Sequence, residues 1–168
     1  MRVLMLSVCA MGVSVGAALA APAPPTPPAP TPKTFMSAAE VSALAAQAAQ
    51  RTPAGPLVSQ PIVGLLPYVA NLEYRTAVGP AAVHETEAEL FQVIDGSGVL
   101  VTGGRLAGET RANAENRRGT GIEGGVSRTV AKGDFFIVPE GVPHWFSRIN
   151  GTLVLMSLHV PHQMGNPR

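Results

Sequence analysis

A chain of 168 residues, 46% of them hydrophobic, is long enough for one domain with its own core and too short to call for a second. Its formal net charge of +1, with charged residues at only 14%, leaves no basic stripe to neutralise phosphates and argues against nucleic acid as a partner. With 18 glycines and 16 prolines, the composition favours turns and strands over long helices.

Residues 1–20, MRVLMLSVCAMGVSVGAALA, place Arg2 before an apolar run that ends in Ala18-Leu19-Ala20. That order predicts a secretory signal peptide cleaved after Ala20, with no membrane attachment afterwards and a periplasmic or secreted location. Cleavage would also remove Cys9, the chain's only cysteine, leaving no disulfide and no thiolate ligand. Residues 21–33, APAPPTPPAPTPK, alternate proline with small residues and read as an extended linker. Residues 34–56 hold one short helix. Ser37 and Glu40 have capping-box spacing, Val41, Leu44, Ala45 and Ala48 share a face, and Pro53 and Gly55 end it.

From residue 57 to 162 the pattern is that of strands. Residues 67–76, PYVANLEYRT, alternate in period two. Residues 89–104, ELFQVIDGSGVLVTGG, predict a hairpin that turns at Asp95–Gly98. Residues 133–141 read as a strand closed by a proline turn, and residues 144–160 as two strands joined at Asn150-Gly151. The Gly-, Arg- and Glu-rich residues 103–125 between them show little periodicity and predict a mobile loop. Eight to ten short antiparallel strands at this spacing suit an all-β barrel or jelly roll.

Two stretches carry the candidate chemistry. In GDFFIVPEGVPHWF, Gly133, Pro139, Gly141 and His144 fall at the fixed positions of the second cupin motif, with Arg148 where an asparagine is usual. In AAVHETEAELFQVIDGSG, aligning the first cupin motif on Gly96 puts Glu89 at the acid position and His84 at the second histidine. The first-histidine position is then Ala82. The chain therefore resembles a small single-domain cupin over roughly residues 60–160. The resemblance implies an all-β cupin jelly-roll barrel with the short N-terminal helix outside it. It also implies that His84, Glu89 and His144 meet at one metal. Two imidazoles and a carboxylate suit a divalent ion such as Fe, Mn, Ni, Cu or Zn and leave about three octahedral positions open.

Alternation along a strand puts Ala82, His84 and Thr86 on one face, so Glu85 and Glu87 are expected on the wet face. Trp145 should point away from the interior, while Phe91 and Phe146 point inward as apolar walls or ordinary core. His159 is a further imidazole whose facing the sequence does not decide, and His162 reads as a solvated tail residue. Arg105, Arg111, Arg117, Arg118 and Arg128 have two readings, a solvated surface or a set of cations over the barrel mouth that meets an anionic substrate.

Two functions fit these expectations. One is a metal-dependent enzyme of the non-haem iron or manganese type, a dioxygenase, isomerase or lyase acting on a small oxygenated molecule. The other is a non-catalytic barrel that binds a small molecule with or without metal. The sequence names no catalytic acid or base. A homodimer is expected, because open barrels have strand edges that need covering, and residues 57–66 are the candidate edge.

Overall fold

The computed structural model describes residues 32–51 and 55–162. The expected signal peptide and all but the end of the Pro/Ala-rich linker lie outside these residues. In chain order the elements are α1 (Ala38–Gln50), β1 (Leu57–Leu65), β2 (Tyr68–Arg75), β3 (Ala81–His84), β4 (Glu87–Thr102), β5 (Arg105–Ala107) and β6 (Thr110–Arg111). They continue with β7 (Asn116–Gly119), β8 (Gly121–Glu123), β9 (Val126–Ala131), β10 (Phe135–Val138) and β11 (His144–Pro161). All pairings are antiparallel, and they build a nine-stranded sheet plus the two-stranded β5–β8 ribbon. This is the jelly-roll architecture with a helix outside it. No helix among the described residues is long and apolar enough to cross a membrane.

The helix begins where Ser37 and Glu40 predict. The Ser37 hydroxyl accepts from the Glu40 backbone N–H, and the Glu40 carboxylate accepts from the Ser37 backbone N–H at 2.7 Å, so two otherwise unpaired donors are satisfied. Val41, Leu44, Ala45 and Ala48 pack on Ile62, Leu72 and Val154, the outer face of the β1–β2–β11 sheet. The barrel interior is filled by a second cluster that includes Phe91, Val93, Leu100, Phe146, Leu153 and Leu155.

Two predicted hairpins are corrected by the structure. Neither Asp95–Gly98 nor Asn150-Gly151 reverses the chain; β4 and β11 are each continuous and pair with one another along their lengths. The two turn signals lie opposite each other, with Ile149 across from Gly98 and Leu153 across from Gly96. The register shifts between those pairs, which marks an irregular bulge. Gly96 (φ 83°) and Gly151 (φ 76°) adopt the left-handed conformation that turn glycines also adopt, so the local signal was the same. At Gly98 a Cβ would approach the Arg148 carbonyl oxygen to 2.5 Å, so the two kinked backbones pass too close for a side chain.

The expected mobile loop at residues 103–125 is also corrected. It folds into four short strands, of which β7 pairs with β3 and β5 with β8. Strands of two to four residues are too short to show a period, and their order comes from partners distant in sequence. Trp145 points outward as expected and joins Ala81, Val83, Leu106 and Ile122 in a satellite core, its indole N–H donating to the Gly79 carbonyl at 2.9 Å.

Candidate metal centre

The interior face of the barrel changes from apolar to polar along its strands. On β11 the inward row runs Leu153, Leu155, Ser157, His159; on β4 it runs Val93, Phe91, Glu89. The period-two geometry therefore carries Glu89 and His159 into the same end of the interior, directly opposite each other in the β4–β11 ladder. His84 ends β3, where the β3–β7 pairing sets it across from Asn116. The Gly141 N–H donates to the His84 carbonyl at 2.7 Å, so the Pro139–Gly141 turn is tied to the end of β3. His144 opens β11 immediately after that turn and lies across from Ala82.

These placements surround one carboxylate with imidazoles. Glu89 is 4% exposed, and its Oε2 lies 3.3 Å from His84 Nε2 and 3.1 Å from His144 Nε2. Its Oε1 lies 3.2 Å from His159 Nε2. One ligand atom from each of His84, Glu89 and His159 falls within 4.8 Å of the others, and His144 adjoins this triad through Glu89. The residues singled out from sequence thus come together, joined by His159, whose facing the sequence left open. The signal was present in its period-two phase with Leu153 and Leu155, but which face of that strand turns inward is set by its pairing with β4.

The second nitrogen of each ring is differently held. His84 Nδ1 meets Asn116 Oδ1 at 2.5 Å, and Asn116 Nδ2 in turn donates to Asn113 Oδ1 at 2.9 Å, which fixes the amide's orientation. His159 Nδ1 lies 3.0 Å from Glu87 Oε2, so Glu87 borders the site and is not simply the wet face expected of it. Glu85 does face outward, where it pairs with Arg111 and Arg117, each at 2.9 Å. Buried His144 Nδ1 has no hydrogen-bond partner, and His159 Nδ1, for all its proximity to Glu87, is not aligned for a hydrogen bond either.

Burial alone would push the Glu89 carboxyl up, but hydrogen bonds from His144, His159 and His84 outweigh it and hold the group far below the usual carboxylate range. For His84, burial lowers the ring's value, but the contacts with Glu89 and Asn116 prevail and raise it. His159 is raised, chiefly by its hydrogen bond to Glu89.

The donor set fits a divalent ion. Cis ligands at bond lengths near 2.1 Å sit about 3 Å apart, which is the spacing of these nitrogens from the Glu89 oxygens. Imidazole and carboxylate together suit Zn, Fe, Mn, Ni and Cu. With His159, the set supplies the third imidazole that Ala82 cannot. Below the site lies an apolar wall in which Phe91 stacks on Phe136 at 5.1 Å between ring centroids and meets Phe146 edge-on at 5.8 Å. Above it, two adjoining cavities of ≈320 and ≈400 Å³ share Ala82, His84, Arg118 and His159 as lining.

A barrel of this topology with a His/Glu cluster at one end of its interior defines a class, and the comparisons agree with it. The family model described as Cupin matches residues 61–163. The chain belongs to the cupin family. No curated protein matches it in sequence. Among solved structures it is similar to a Bacillus halodurans protein at 14% identity and TM-score 0.50, covering 81% of this chain and 87% of that one. KdgF from a Halomonas species has 16% identity and TM-score 0.48, with 68% and 87% covered. A double-stranded β-helix protein from Klebsiella pneumoniae has 15% identity and TM-score 0.47, with 68% and 85% covered. At these identities the likeness is one of fold.

Proposed function

We propose that this chain is an exported cupin that holds a divalent metal through His84, Glu89, His144 and His159 and acts as a metal-dependent enzyme on a small oxygenated molecule. The observation that carries this reading is the convergence of three imidazole Nε2 atoms on the buried carboxylate of Glu89, at the base of a cavity. A divalent ion bound there would supply Lewis acidity toward a substrate oxygen, and redox chemistry if it were iron or manganese. Asn116 holds Nδ1 of His84, leaving Nε2 as the ligand atom, and Glu87 Oε2 stands 3.0 Å from Nδ1 of His159 as a charged neighbour. The wall of Phe91, Phe136 and Phe146 keeps water from reaching the site from the core side. With four protein donors, two octahedral positions would remain for substrate and water, where the sequence alone suggested about three.

Metal content of the untagged protein decides this, measured by elemental analysis beside His84→Ala, His144→Ala and His159→Ala. Near-stoichiometric metal that each substitution depletes supports the reading. A wild-type chain that stays metal-free after loading removes it and leaves a bare small-molecule-binding barrel.

Export rests on the layout of residues 1–20 and is tested by N-terminal sequencing of protein recovered from the periplasm or medium, with Ala21 expected first. A homodimer through β1 is supported by the edge it keeps among the described residues, where its one strand neighbour is β2 and Lys33 bridges the other side at Gly64 alone, and by Leu65 and Leu66, exposed at 54% and 75%. Light scattering after size exclusion tests it, and a monomer at micromolar concentration removes it.

A further inference from the structure

The arginines of residues 105–128 are not equivalent. Arg105 pairs with Glu123, Arg111 with Glu85, and Arg117 with both Glu85 and Glu109. Arg75, in the cavity wall, donates twice to Glu73 and lies over the Phe146 ring at 4.9 Å. Among the described residues, Arg118 is the cavity-lining arginine without a carboxylate partner, and it lines both cavities beside His84 and His159.

Its position follows from the ladder. Arg118 lies directly across from Ala82 in the β3–β7 pairing, so the two side chains emerge on the same face. A methyl group stands where the first cupin motif has its first histidine, which leaves space between the guanidinium and the His/Glu cluster. The charges in the lining and beside it also point one way. Glu73 is matched by Arg75, and Glu85 and Glu109 are matched by Arg111 and Arg117. Glu87 and Glu89 would together balance a divalent ion. Arg118 is left over as one positive charge above the site.

We propose that the cavity takes a small anionic ligand whose carboxylate pairs with Arg118, making Arg118 the residue that selects for charge; this rests on the metal-site reading given above. A guanidinium matches a carboxylate in two-point geometry. One unmatched cation suits one carboxylate, whereas a phosphate dianion would call for a second. Asn71 and Asn113, also in the lining, add neutral polar groups for hydroxyl or oxo substituents.

The test is calorimetric titration of the manganese-loaded protein with glycolate, pyruvate and malonate, with glycolamide as the neutral counterpart of glycolate and inorganic phosphate as the competing oxyanion. Arg118→Gln and Arg118→Lys are titrated alongside, and the metal content of each is measured. The expected result is that at least one carboxylate binds the wild type, with glycolamide weaker than glycolate. Arg118→Gln should weaken carboxylate binding about ten-fold or more, as loss of a charge-assisted contact does, with metal content unchanged and partial recovery in Arg118→Lys. Carboxylate affinity unchanged in Arg118→Gln, no carboxylate binding to the loaded wild type, or phosphate bound more tightly than every carboxylate would each overturn the proposal. If the wild type takes up no metal, the metal reading fails by itself. Malonate titrated into the metal-free protein then judges Arg118 separately: Arg118-dependent binding supports it and none overturns it.

Discussion

His159 stands directly across from Glu89 in the β4–β11 ladder, with its Nε2 3.2 Å from Glu89 Oε1. That relationship places a third imidazole at the site from the last strand of the barrel, while Ala82 occupies the position where the first cupin motif has its own histidine.

The proposed use of His159 as a ligand makes a reciprocal prediction. His159→Ala should deplete bound metal, and Ala82→His added to that variant should restore part of it, because residue 82 lines the same cavities and lies across from His144. Metal content and the metal dependence of Tm read both effects. Full occupancy in His159→Ala would show that His84, Glu89 and His144 suffice.

Asn116→Ala should leave the backbone pairing of β7 with β3 intact while freeing Nδ1 of His84. Groups that orient a metal-ligating histidine are worth about 10–100-fold in metal affinity, and a loss in that range is expected from competition with a chelating dye. Losing a ligand itself, as in His84→Ala, should cost more than this. Equal affinity in wild type and Asn116→Ala would remove the orienting role.

The pH dependence should reverse between metal-free and metal-loaded protein. Without metal, the raised His84 and His159 contribute stability that is full below the ordinary imidazole value of 6.5 and is lost as pH rises through their folded values. The depressed Glu89 contributes stability that is present above its ordinary value of 4.5 and is lost as pH falls through its much lower folded value. Metal-free Tm should therefore fall as pH rises above 6.5. Metal competes with protons for the imidazoles, so the rise in Tm on adding metal should grow with pH over the same range. Thermal scans with and without zinc at a series of pH values check both slopes, and parallel profiles would contradict the shared site.

Gly96 is required by the β4–β11 bulge and should not tolerate a side chain. Its φ of 83° disfavours other residues, and a Cβ there would collide with the Thr152 carbonyl oxygen. Gly96→Ala should cost more than about 1 kcal/mol in denaturant unfolding. Gly133, also at positive φ (95°) but with nothing within 4 Å of a Cβ, should lose less on the same change. Equal losses would assign the whole cost to backbone conformation and none to the close approach.

Much of this protein was legible in its residues one after another. The capping box at Ser37 and Glu40, the outward Trp145, the cupin motif around His144 and the pairing of His84 with Glu89 all depend on local spacing, which a linear chain displays directly. What the linear chain could not display was partnership across distance. Asp95–Gly98 and Asn150-Gly151 carry the same positive-φ glycines as hairpin turns, and only their meeting in the β4–β11 ladder makes them a shared bulge. The antiparallel register of β11 on β4 turns the face of Leu155 and His159 inward and sets His159 across from Glu89, and the pairing of short β7 with β3 brings Asn116 to His84 and Arg118 across from Ala82. The kinds of donor were written in the sequence; their number and their neighbours were decided by antiparallel register, because cross-strand contacts depend on partners far apart in the chain.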